Sequence, residues 1–374
     1  MNAKNYETLK KGFISEFEGL RGIMAIWVVV GHMLSGLSAS HDLASPNLWN
    51  TVPVQVFIIL SGFVIFSLLD REHQSYRAFL IHRSFRLFPA YLLALAISVL
   101  MLPFAREVLL TSPAAPMTAA RISLIDTATN NLSAHLAVHL LLIQGLIPDG
   151  VLANSAYTLV GQAWSVSVEW QFYILAPIAY LLLKPRQRMY KLPALAVLIA
   201  LLASFNNKLG GGYIGQYLSL FAVGIATFCL SKYSAKSTIL SILPPLCALP
   251  FMQEYTAALL IWTAASYCAL NVQKNTTQNI LSRILNCKPA SYLGKISYSI
   301  YINHMIFVFL TPSIISKLSM GSSSTIFLAI GLSTALTIVF SHVTYSYIEK
   351  PMMRVGKALS TRKLHSSAAT QENG

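Results

Sequence analysis

LRGIMAIWVVVGH, residues 20–32, is an apolar run with a cation at one end and an imidazole at the other. Arg21 and His32 stand eleven positions apart, which is ~16 Å along a helix rising ~1.5 Å per residue. The run does not alternate polar and apolar residues, so it does not read as a half-buried strand. It reads as a helix that is oily all round, the pattern of a membrane span.

Comparable runs recur as far as residue 347. The chain has 374 residues, 55% of them hydrophobic and only 11% charged. Its mean hydropathy is +0.59, whereas a soluble domain carries roughly 25% charged residues. These values indicate an all-α polytopic membrane protein, a bundle of about ten transmembrane helices. A β-barrel is disfavoured because the runs are continuously apolar. The expected spans are 19–37, 53–69, 88–104, 163–183, 192–205, 214–230, 239–250, 256–270, 296–316 and 324–347. A further run, 134–147, is shorter and holds two histidines.

The formal charge of +14 needs no nucleic-acid partner, because Lys and Arg collect in loops that stay in the cytoplasm. Loop 70–87 holds Arg71, Arg77, Arg83 and Arg86, and loop 184–191 (KPRQRMYK) is equally basic. Loop 38–52 has no Lys or Arg. If 134–147 is re-entrant or interfacial, every basic loop and both termini fall on the cytoplasmic side. The expected division is 1–15 as a cytoplasmic segment, 16–357 as the integral-membrane domain and 358–374 as a disordered cytoplasmic tail. No small-residue cleavage site follows the first apolar run, so that run is expected to stay as a helix.

Few charges enter the spans, and each is expensive there. Glu169, in AWSVSVEWQFYIL, is the carboxylate expected inside one. Counting from opposite ends of the first and fourth spans places His32 and Glu169 at similar depth, where the carboxylate would orient the imidazole. Arg83 and Arg86, three apart in IHRSFRLFPAY, share a face if helical and suit a phosphate clamp. His304 lies within the ninth span, in LGKISYSIYINH. His342 reads as structural. His135 and His139, four apart, lack a third metal ligand, and no metal is expected. Cys229, Cys247, Cys268 and Cys287 show no metal or redox spacing and read as small hydrophobes.

Together these motifs resemble the membrane-bound acyltransferase family three, which includes bacterial polysaccharide O-acetyltransferases. LRGIMAIWVVVGH is similar to that family's signature of Arg or Lys, ten residues, then His. VFIILSGFVI (56–65), HRSFRLFPAY, AWSVSVEWQFY, LGKISYSIYINH and YIEKP (347–351) resemble its later elements, in order, from about residue 15 to 355. Trp170 stands where many relatives have a second acid. The extracytoplasmic esterase-like domain of some relatives is absent from these residues, which leaves direct and relayed transfer both open.

The resemblance implies an acyl-CoA-dependent O-acyltransferase, with acetyl-CoA as the donor co-substrate, in the inner or plasma membrane. The acceptor would be a hydroxyl of a cell-surface glycan or lipid-linked saccharide, with a partner protein left open. His32, Glu169 and Arg21 form the expected catalytic set, with His32 as general base supported by Glu169. Arg83, Arg86 and His304 form the expected donor-binding set. Transfer through a covalent acetyl-imidazole stays open beside the general-base route. The alternative is a proton-coupled transporter or exporter of an anionic solute using the same buried charges.

Overall fold

The computed structural model describes residues 14–35, 50–72, 74–111, 117–184, 188–233, 238–270, 280–315 and 322–371. These residues form helices and turns, without strand. The first segment, 1–13, and most of the 38–52 loop lie outside the described residues.

The first span is α1 (Ser15–Ser35), followed by α2 (Val52–Arg71) and the long α3 (Tyr76–Thr111). Two shorter helices, α4 (Thr118–Asn130) and α5 (Leu132–Leu140), then lead through turns to α6 (Trp164–Leu183). The remainder comprises α7 (Arg188–Ser204), α8 (Leu218–Tyr233), α9 (Thr238–Ala248), α10 (Thr256–Leu270), α11 (Ile280–Leu285), α12 (Lys288–Lys295), α13 (Ser297–Ile315), α14 (Ser322–Thr344) and α15 (Lys350–Gln371).

Among the described residues, 6 helices are long and apolar enough to cross a bilayer, or 7 if the bent pair α12–α13 is one span. The other three expected spans form as α7, α9 and α10, with 17, 11 and 15 residues. Each falls short of the ~20 residues a perpendicular crossing needs. The run at 134–147 yields only the 9-residue α5 and then turns, too little to cross.

Two expectations change in detail. Arg83 and Arg86 are not in a loop before the third span. Helix α3 begins at Tyr76 and carries both on its first turns, because no residue from 76 to 88 interrupts a helix. Second, Glu349 is a further buried carboxylate, only 1% exposed. A five-residue π-turn at Tyr345–Glu349 joins α14 to α15 and keeps it inside. Helix α15 runs to Gln371. Beyond Gly356 that stretch has no Gly or Pro to stop it.

One apolar cluster ties the helices together, with Trp262, Phe63, Phe17 and Tyr173 among its buried members. Phe17 stacks on Trp262 at 5.0 Å and meets Phe63 edge-on at 5.0 Å. Close backbone approach fixes the arrangement at two points. A Cβ on Gly224 of α8 would overlap the Ile59 carbonyl oxygen of α2, and one on Gly294 of α12 would overlap the Glu18 carbonyl oxygen of α1. Gly224→Leu is therefore expected to cost at least the ~1–3 kcal/mol of a core overpacking. It should lower the melting temperature of the purified protein, whereas Gly331→Ala, with nothing within 4 Å of its added carbon, should not.

Candidate active site

Helix α1 crosses the bundle with Arg21 near its start and His32 near its end. The two residues therefore serve different neighbourhoods, as their spacing requires.

At the Arg21 end, a cavity of about 70 Å³ opens between α1, α2, α3, α6 and α13. Arg21, Arg86, Glu169, Ser165, Tyr298 and Tyr301 are on its wall. Arg21 is 3.8 Å from Glu18. The Arg86 guanidinium makes no hydrogen bond to a described residue, and the charges acting on it include Glu349, Glu169 and Glu18. Its donors are thus held by carboxylates at a distance and remain available. Arg83 differs. Its guanidinium lies 5.7 Å over Phe79 and 5.6 Å over Tyr173, which is a cation–π seat.

Glu169 accepts a hydrogen bond from Tyr173, one turn further along α6. Placed there, it faces the arginines and the cavity. The expected pairing with His32 is absent: no hydrogen bond or ion pair joins them among the described residues. Depth alone did not bring the two together, because α1 and α6 turn these side chains toward different neighbours.

At the other end, His32 is half-buried and its ring lies against that of His304, with centroids 5.0 Å apart and planes at 37°. His304 is fully buried. Its Nδ1 is 2.6 Å from the Tyr301 carbonyl oxygen, so Nδ1 carries the hydrogen there and Nε2 keeps its lone pair. That Nε2 has no partner among the described residues. The structure thus sets His304 beside His32 rather than at the arginines.

Between the two ends stands a hydroxyl node. Tyr301 and Ser165 share a hydrogen bond of 2.7 Å, and the Tyr301 hydroxyl also reaches the Gln162 carbonyl oxygen at 2.8 Å. Gln162 Nε2 donates to the Ile302 carbonyl at 2.7 Å. Neither Ser165 nor Tyr301 stands out in the sequence; the signal for Tyr301 is its place three residues before His304. Ser167 donates to the Leu142 carbonyl at 2.8 Å and supports a turn.

His139, His135 and His342 are structural in their contacts. His139 meets the Tyr91 hydroxyl at 3.1 Å and the Ser155 carbonyl at 3.1 Å, and burial pushes its pKa down to about 3. His135 meets Thr158 Oγ1 at 2.9 Å. His342 meets the Tyr292 hydroxyl at 2.6 Å. The described residues contain no group of three or more His, Cys, Asp or Glu that could hold a metal.

A multi-pass helical membrane protein with basic and imidazole-bearing neighbourhoods at opposite ends of one helix suits group transfer across a bundle. The chain belongs to an acyltransferase family: the family described as "Acyltransferase domain" matches residues 14–344. Among curated relatives it is similar to "Putative peptidoglycan O-acetyltransferase YrhL" of Bacillus subtilis (strain 168). The two are 23% identical over 96% of this chain and 58% of that protein. It is also similar to "Exopolysaccharide production protein ExoZ" of Rhizobium meliloti (strain 1021), 24% identical over 82% of this chain and 90% of that protein. The chain thus spans little more than half the length of the Bacillus relative. No solved structure matches it.

Proposed function

We propose that the protein transfers an acetyl group from acetyl-CoA to a hydroxyl of a cell-surface glycan, with His32 as general base. The observation that carries this reading is the cavity at the Arg21 end. Two guanidiniums line it, and its Ser165–Tyr301 wall adjoins the His304–His32 pair. The names of the two relatives support a glycan acceptor, and acetyl is the acyl group named in one of them.

In this mechanism Arg86 and Arg21 bind the nucleotide phosphates by charge-assisted hydrogen bonds. Glu169 and Glu349 limit the mutual repulsion of the guanidiniums and hold Arg86 over the cavity. The thioester reaches the hydroxyl node, where Ser165 or Tyr301 donates to the oxygen that gains charge. His32 takes the acceptor's hydroxyl proton as the oxygen attacks the thioester carbon. The carbon–sulfur bond breaks, and the sulfur leaves as thiolate and takes the proton back from the imidazolium. His304 positions His32 by packing: its ring lies against the His32 imidazole with centroids 5.0 Å apart and limits the orientations open to it. No step draws on a metal.

The reading is tested by supplying acetyl-labelled acetyl-CoA to membranes from cells with and without the protein. Label entering the glycan fraction only with the protein is the expected result. Label in neither sample, with accumulation of an anionic solute outside, would favour the transporter alternative instead.

We also place the basic loops and both termini in the cytoplasm. Ala153, exposed in the turns before α6, then faces outward. With the exposed Cys247 and Cys287 first changed to serine, Ala153→Cys is expected to react with an impermeant thiol reagent added to intact cells. Labelling only after permeabilisation would invert the orientation.

A further inference from the structure

Arg121 is a buried cation that the mechanism above does not use. It sits on α4, at the His32 end of α1, and is 9% exposed. Burial pulls its pKa down to about 10, so it stays charged at neutral pH. Its Nη2 donates to the His32 carbonyl at 3.2 Å and to Ser35 Oγ at 3.4 Å. The guanidinium lies 5.6 Å over the Phe309 ring. No carboxylate pairs with it among the described residues.

Arg121 also lines a second cavity, about 110 Å³, walled by α3, α4, the turns before α6 and α13. Its wall is largely apolar, with Ser98, Tyr157 and Gln162 as the other polar side chains. The two cavities are neighbours: Tyr301, on the wall of the donor cavity, donates to the carbonyl of Gln162, on the wall of this one, at 2.8 Å. Capping the last turn of α1 uses one nitrogen of the guanidinium. It does not offset the cost of a buried charge without a counter-ion.

We propose that this second cavity receives the acceptor glycan through a carboxylate of one of its sugars, held by Arg121 next to the hydroxyl that His32 deprotonates. The proposal rests on the acyl-transfer reading for the word acceptor, though not for the anion site itself. A single guanidinium in an apolar wall matches a singly charged carboxylate. A diphosphate would call for several cations, and those lie at the Arg21 end. Guanidinium and carboxylate also match in planar, bidentate geometry. The acceptor is therefore an acidic glycan.

The test compares wild type, Arg121→Gln, Arg121→Lys and Ser35→Ala in membranes, at matched protein level. Labelled acetyl-CoA is the donor. The acceptor is the surface glycan fraction, either intact or with its carboxylates chemically reduced to alcohols. Wild type and Ser35→Ala should label intact glycan at least tenfold more than reduced glycan. Arg121→Gln should lose at least tenfold on intact glycan and no longer distinguish the two, and Arg121→Lys should keep part of the discrimination.

Equal labelling of intact and reduced glycan by wild type would overturn the proposal and leave Arg121 as a helix cap. A second arm needs no catalysis: binding of tetragalacturonate, its carboxyl-reduced form and inorganic pyrophosphate to purified protein in nanodiscs. Tetragalacturonate should bind wild type, bind the reduced form's site far more tightly than that form does, and lose affinity in Arg121→Gln. If no glycan is labelled by wild type yet this binding pattern holds, the anion site stands and the acyl-transfer reading falls. Binding of pyrophosphate alone, lost in Arg121→Gln, or of no probe, sinks the carboxylate site.

Discussion

His32→Ala should lower kcat for acetyl transfer by about 10²–10⁴-fold, the usual contribution of a positioned general base, with little change in the KM for acetyl-CoA. The split follows from the geometry. His32 is at the far end of α1 from Arg21, and the arginine-lined cavity does not include it. Removing the imidazole therefore leaves donor binding in place and removes an interaction made only on the way to the transition state. Its ring packs against His304 without a hydrogen bond to any other described side chain, so truncation breaks little structure. His304→Ala should also slow transfer, and should shift the pH dependence of kcat, because the ring packed against the His32 imidazole is gone and water can enter beside it. Initial rates with labelled acetyl-CoA in membranes, at matched protein level, give both numbers. A His32→Ala enzyme within threefold of wild type would remove His32 as the base, and an unchanged pH profile in His304→Ala would make that residue mere packing.

The helical membrane fold was legible because it depends on composition and run length, which are local properties. The runs at 192–205, 239–250 and 256–270 were found as helices, yet their length as crossings was overread. The helices are about as long as the runs themselves, 17, 11 and 15 residues, so a run of that length announces a helix without making it a crossing. Arg21, His32, Arg86 and Glu169 were all visible as rare polar groups in oily surroundings. Their pairing was not visible. Depth along a helix axis can be counted from sequence, but the direction a side chain faces depends on packing. That is why Glu169 lies with Tyr173 and the arginines while His304 takes the place beside His32. Glu349 was hidden for a similar reason: YIEKP reads as the end of a helix, whereas a π-turn carries the chain on and turns the carboxylate inward. Arg121 gave no sequence signal, being one arginine in a polar segment between spans.

Arg86→Ala should raise the KM for acetyl-CoA by about 10–100-fold, the equivalent of losing one charge-assisted hydrogen-bonding group worth ~1.5–3 kcal/mol, while kcat changes by no more than a few-fold. Arg83→Ala should raise it less. The two arginines are one helical turn apart, yet only Arg86 lines the cavity. Arg83 rests on Phe79 and Tyr173, so its loss should register mainly as reduced thermal stability. The same contrast identifies what Arg86 binds. Acetylpantetheine carries the thioester without the nucleotide phosphates. Wild type should use it poorly, and Arg86→Ala should use it about as poorly, because the missing phosphates and the missing guanidinium are two halves of one interaction. The two losses would then be strongly non-additive. If Arg86→Ala instead depresses acetylpantetheine turnover by the same factor as acetyl-CoA turnover, Arg86 acts on the thioester or on the fold. The cavity at the Arg21 end would then not be the nucleotide's seat.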